Sequence, residues 1–152
     1  MENLIQIKIE IDCDSHRAFD LFTIDTLLES WLTEKAEVEL EVGGKYELFW
    51  DPENRDINST IGCKITGLEK NKYISFDWKG PVQFQYFMNS SDPLTHVIVF
   101  LSQKHDDPTK TIIHLFHVGW RTTIEWQQAR EYFEKVWLGA LLELQKNEEK
   151  VK

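Results

Sequence analysis

The chain has 152 residues, 41% apolar and 28% charged, the proportions of one globular domain over 1–152 and not of a disordered chain. Seventeen Lys+Arg against 26 Asp+Glu leave a net charge of −9, and no basic run exceeds two residues. Binding a phosphate backbone or an anionic bilayer draws on clustered cations, so neither nucleic acid nor a membrane surface is an expected partner.

The first predicted element is a strand. Ile5, Ile7, Ile9 and Ile11 alternate with Gln6, Lys8 and Glu10, a strict period of two with β-branched residues on one face. Asp14 and Ser15 then offer helix N-caps, with Ala18, Phe19 and Phe22 at helical spacing. A second short helix is expected over 25–31, burying Leu27, Leu28 and Trp31.

From Ala36 the period returns to two. Val38, Leu40 and Val42 alternate with Glu37, Glu39 and Glu41, and Gly43-Gly44 breaks the run. Tyr46, Leu48 and Trp50 follow as the inward row of the next strand, so a tight hairpin turn is predicted at the glycines. The pair lacks the Lys-Ser/Thr and helix of a phosphate loop. Ile61, Cys63 and Ile65, then Ile74, Phe76 and Trp78, then Val97, Val99 and Leu101 continue the alternation, with turns at 51–56 and at Asn71-Lys72. A last strand runs from Thr111 to Val118 after the tip 105–108. The segment 80–94 fits either an edge strand or a loop whose aromatics cover one end of the sheet.

One long helix ends the chain. Thr122-Thr123-Ile124-Glu125 fits a capping box with Thr122 as cap. Trp126, Ala129, Phe133, Val136, Trp137, Ala140, Leu141 and Leu144 follow at three- and four-residue spacing, one wide apolar face. Gly139 lies inside it, read as a site of close packing with room for a ligand as the second reading, and the charged tail from Gln145 is expected to fray.

Chemistry-bearing groups are sparse. Cys13 and Cys63 form no C-x-x-C pair, and no metal framework or other cofactor follows from them. His114 and His117 are three apart, which on a strand points them to opposite faces, so they cannot chelate one ion. His96 and His114 are candidate cross-strand neighbours without a completing carboxylate or thiol. His117 is the one ionisable group expected on the inner face, as a buried neutral imidazole. No G-x-S-x-G elbow is present, and the strand acids fall on outward rows, so no catalytic residue is assigned. The segment Met1–Lys8 lacks a positive leader before an apolar core, and no apolar stretch approaches the ~20 residues of a spanning helix, so a cytoplasmic protein without membrane insertion is expected.

The order β-α-α-β₆-α resembles the helix-grip fold of the START/Bet v-like (SRPBCC) superfamily, an α+β class. Trp31-Leu32-Thr33, Val42-Gly43-Gly44-Lys45-Tyr46, Phe76-Asp77-Trp78 and Leu115-Phe116-His117-Val118-Gly119-Trp120 resemble marks of its Aha-type domains, named for the activator of heat-shock-protein-90 ATPase. Val136-Trp137 with Leu141 and Leu144 resembles the pattern of their last helix, although Val136 stands where the family has glycine. The resemblance implies a curved antiparallel sheet of six or seven strands wrapped around the long helix, with a cavity between them. Trp31, Tyr46, Leu48, Trp50, Cys63, Phe76, Trp78, Val99, Leu115, His117, Phe133, Val136 and Trp137 would line it. A dry void of ~300 Å³ would cost roughly 7 kcal/mol at about 24 cal/mol per Å³, comparable with a whole domain's ~5–15 kcal/mol, so such a cavity is small, wet, occupied or filled by the aromatics.

The expected function is therefore non-enzymatic binding of a small apolar or aromatic ligand. A chaperone-regulating interaction module is the alternative, and a cyclase or hydrolase of the same superfamily the third reading.

Overall fold

The structure, a computed structural model, describes residues 3–151. Strand β1 (Ile5–Ile11) buries Ile5, Ile7 and Ile11 and turns Gln6 and Lys8 to solvent. Helix α1 (Ser15–Thr23) is capped by Asp14, whose carboxylate accepts from the Arg17 amide, and buries Ala18, Phe19, Leu21 and Phe22. Helix α2 (Asp25–Leu28) ends before the expected Trp31. Trp31 lies half-buried, edge-on to Phe22 at 5.1 Å, with its indole N–H donating to the Leu21 carbonyl.

Strands β2 (Lys35–Val38), β3 (Tyr46–Phe49), β4 (Ile65–Glu69), β5 (Tyr73–Trp78), β6 (Thr95–Lys104) and β7 (Asp107–Val118) complete the antiparallel set. Five of them form a sheet in the order β1-β7-β6-β5-β4, and β2 pairs with β3 as a two-stranded sheet. The two sheets communicate by a bridge between Lys45 and Lys64 and by Tyr46 N–H to the Cys63 carbonyl. Inward rows on β5, β6 and β7 bury Ile74, Phe76 and Trp78, Val97, Val99 and Leu101, and Ile113, Leu115 and His117.

The β2–β3 connection corrects the expected tight turn. Strand β2 stops at Val38, and the chain makes a wide loop over 39–45, leaving Leu40 49% and Val42 66% exposed. Gly43 adopts φ +87°, and a Cβ on Gly44 would run into the Glu39 carbonyl, so both glycines are needed for a wider turn. The alternation also slips after Leu48. Phe49 is wholly buried and Trp50 42% exposed, the reverse of the expected pattern.

The segment 80–94 carries a helical turn, α3 (Gln85–Met88), within a loop. Its aromatics cover the N-terminal half of helix α4 (Ile124–Lys150): Phe87 stands 5.0 Å from Trp126 and Phe84 5.3 Å from Tyr132. The α4 cap is Thr123, one residue later than expected, and Glu125 accepts from the Tyr86 hydroxyl. Trp126, Ala129, Phe133, Trp137, Leu141 and Leu144 form its buried stripe. A Cβ at Gly139 would meet nothing, so no close packing explains that glycine.

The tail does not fray at Gln145. The helix continues to Lys150, tied by the Gln145 amide to the Glu10 carbonyl and by a bidentate Arg17–Glu148 pair, with Glu148 buried. No helix among the described residues is long and apolar enough to cross a membrane.

Candidate ligand cleft

Most of the space between the five-stranded sheet and α4 is filled. Tyr46 stacks on Phe76 at 3.8 Å and donates its hydroxyl to the Phe22 carbonyl. Tyr46, Leu48, Cys63, Phe76, Val99, Leu115 and His117 are all wholly buried, and none of them walls the open cleft described below. Burial pushes the Cys63 thiol up to about 12, so it packs as a small apolar group.

His117 has a fixed tautomer. The Trp137 indole N–H, which can only donate, points at Nδ1 at 3.0 Å, so Nδ1 carries no proton. The proton sits on Nε2 and is donated to the Thr95 hydroxyl at 3.0 Å. Burial, with a smaller contribution from His96, pushes the imidazole down to about 3, so it is neutral through the physiological range. Both nitrogens are used within the protein. The residue is structural.

An open cleft of about 300 Å³ lies on the other flank of α4. From the helix come Tyr132, Phe133, Val136, Trp137 and Ala140. Across from them stand Leu32, Trp50, the loop residues Asn58 and Ser59, Trp78 at the end of β5, and Lys79, Gly80, Pro81 and Gln83. Thus Trp50, Trp78, Phe133, Val136 and Trp137 of the expected lining meet here, while Trp31 does not reach it. Val136 is 40% exposed at the mouth, which admits water and removes the cost of a dry void.

The loop walls are held by specific bonds. The Trp50 indole N–H donates to the Leu32 carbonyl at 3.0 Å, and its ring meets Trp78 edge-on at 5.9 Å. Asn58, at φ 49°, accepts from the Val82 amide and so ties the two loops together. Asn89 clamps both backbone groups of Gly80, and a Cβ on Gly80 would stand 2.6 Å from the Met88 sulfur. Trp78 is 3% exposed, and its indole N–H is buried without an acceptor.

Leu32, Asn58, Ser59, Lys79, Gly80, Pro81, Gln83, Tyr132 and Ala140 lie outside the expected lining. The loop positions carry no periodicity to betray them. Tyr132 was legible only as one step round the helix from Val136.

The outward sheet face carries a different polar group. Asp77 pairs with His96 at 3.4 Å, and His96 Nε2 lies 2.8 Å from the Thr66 hydroxyl. His96 is opposite Val118, and His114 opposite Phe100, so those two histidines are not partners as the spacing had suggested. The group lies on the face opposite the inward row of Phe76, Trp78 and Val97, away from the cleft. No cluster of three His, Cys, Asp or Glu among the described residues is placed to hold a metal.

Solved structures share this fold. A structural-genomics protein from Mesorhizobium loti superposes with a TM-score of 0.76 at 16% identity, covering 98% of each chain. The Aha1 dimer from Colwellia psychrerythraea gives 0.68 at 19% identity over 95% of each chain. An HSP90 activator from Plasmodium falciparum gives 0.69 at 20% identity over 93% of this chain and 92% of that one. At these identities the likeness shows the helix-grip fold. No curated protein matches the sequence. The model of the family described as activator of Hsp90 ATPase homolog 1-like protein matches residues 12–147, and the chain belongs to that family.

Proposed function

We propose that this protein, as a single cytoplasmic domain over 1–152, binds a small apolar or aromatic ligand in the cleft between α4, the Trp50 end of β3 and the 79–83 loop, without catalysing a reaction. The observation that carries the reading is the cleft itself, which holds three tryptophans in walls fixed by Asn58 and Asn89. Its volume of about 300 Å³ stands at the lower end of the ~300–1,000 Å³ of small-molecule sites. The lining offers no carboxylate, its Ser59 hydroxyl donates to the Arg55 carbonyl, and His117 has both nitrogens engaged.

Native mass spectrometry of the purified protein, followed by denaturing extraction, tests this. The expected result is a co-purifying apolar molecule, or, for an empty protein, thermal stabilisation by members of an aromatic compound library. An empty protein that no member stabilises overturns it.

The family description supports a second reading, regulation of an Hsp90-type chaperone. An outward aromatic row suits a protein contact: Phe100 is 46% exposed and lies 6.0 Å from Tyr73 and 5.9 Å from Phe116. A chaperone ATPase assay decides it. Turnover that rises with added protein supports the reading, and turnover unchanged at saturation removes it.

A further inference from the structure

The cleft is not uniformly apolar. Lys79 is the one charged residue in its lining, on a protein whose net charge is −9. The Lys79 ammonium donates to the Ile61 carbonyl at 2.6 Å and stands in no ion pair among the described residues. An ammonium has three donors, so two remain. Acidic residues are the commoner charge on this chain, yet none lines the cleft. A half-buried cation with free donors and no carboxylate partner, in the wall of a largely apolar cleft, asks for an oxygen anion.

We propose that the ligand is an apolar carboxylic acid bound as its anion, with its ring body against Trp137 and Phe133 and its carboxylate at Lys79. This rests on the ligand-binding reading above and adds the chemical class of the ligand. Volume sets the body. An apolar cavity of ~150 Å³ takes a benzene, so about 300 Å³ suits roughly two fused rings. A charge-assisted bond from a half-buried lysine gives the acid its advantage over a neutral molecule of the same shape.

The test compares 2-naphthoate with the nearly isosteric, neutral 2-naphthamide by isothermal titration calorimetry at pH 7, on the full chain. The acid is expected to bind roughly tenfold tighter, with an advantage that shrinks as salt is raised. Lys79→Met is expected to bring the acid down to the amide, while amide binding persists and shows that the variant is folded. Lys79→Arg is expected to keep the preference. Equal binding of acid and amide to the natural protein, or a preference that survives in Lys79→Met, overturns the carboxylate assignment and leaves the ligand-binding reading standing. Binding of neither compound, joined to an empty protein in native mass spectrometry, overturns both.

Discussion

Two flanks of the same helix meet different ends in this molecule. On one, α4 sets Phe133, Trp137, Leu141 and Leu144 against the five-stranded sheet, all buried, with His117 and Trp137 joined by a hydrogen bond. On the other, Tyr132, Val136 and Ala140 face the end of β3 and the 79–83 loop, and the gap stays open. Trp137 and Phe133 belong to both. A sheet offers side chains at regular spacing and fills the space, whereas loops deliver only the few residues that their turns project. The open flank stays unfilled because it lies beyond the regular sheet.

The comparison breaks first at Trp137. Trp137→Ala removes a large, 1% exposed ring and leaves His117 Nδ1 without its donor, so a loss of about 3–5 kcal/mol is expected in urea unfolding. A loss below about 1 kcal/mol would mean that the closed flank is not tightly packed.

His117 gives the next effect. Its folded pKa is about 3 and its ordinary value 6.5, so between those values the unfolded chain takes up a proton that the native state refuses. Stability from this group is present above pH 6.5 and falls with pH by about 1.4 kcal/mol per unit until the folded pKa is reached. Unfolding of the natural protein and of His117→Gln at pH 7.5, 6.5 and 5.5 isolates that slope. Equal slopes would contradict the buried neutral imidazole.

Gly139 sharpens the contrast from the solvent side. A Cβ there meets no atom within the helix's surroundings, so Gly139→Ala is expected to stabilise by about 1 kcal/mol through helix propensity alone. A destabilised variant would reveal a packing role that the geometry lacks.

The smallest effect on stability is expected at Val136. Val136→Phe extends into open space and should change stability by no more than about 0.5 kcal/mol, yet it narrows the cleft and should weaken 2-naphthoate binding in the same calorimetric titration. Unchanged affinity would put the ligand elsewhere.

The sequence made the closed flank legible. Ile5, Ile7 and Ile11, the row from Ile74 to Trp78 and the helix stripe from Trp126 to Leu144 each alternate because one face is buried and the other wet. Legibility failed where period and burial part company. Leu40 and Val42 continue a strand pattern but sit exposed in a wide turn, and Phe49 and Trp50 exchange roles as β3 ends. The tail from Gln145 reads as solvated charge, yet the Arg17–Glu148 pair joins residues far apart in sequence. For the cleft, inward rows named Trp50, Trp78, Phe133, Val136 and Trp137, because these stand at the edge of the regular core. Asn58, Lys79, Pro81 and Gln83 escaped, since a loop residue's direction depends on tertiary bonds such as Asn58 to Val82.

The indole N–H signals of the six tryptophans test the central claim most directly. A nitrogen-15 correlation spectrum recorded during titration with 2-naphthoate should move the signals of Trp50, Trp78 and Trp137, which wall the cleft, and leave those of Trp31, Trp120 and Trp126 in place. No movement at millimolar ligand, or movement confined to Trp31, Trp120 and Trp126, would contradict a binding site on the open flank of α4.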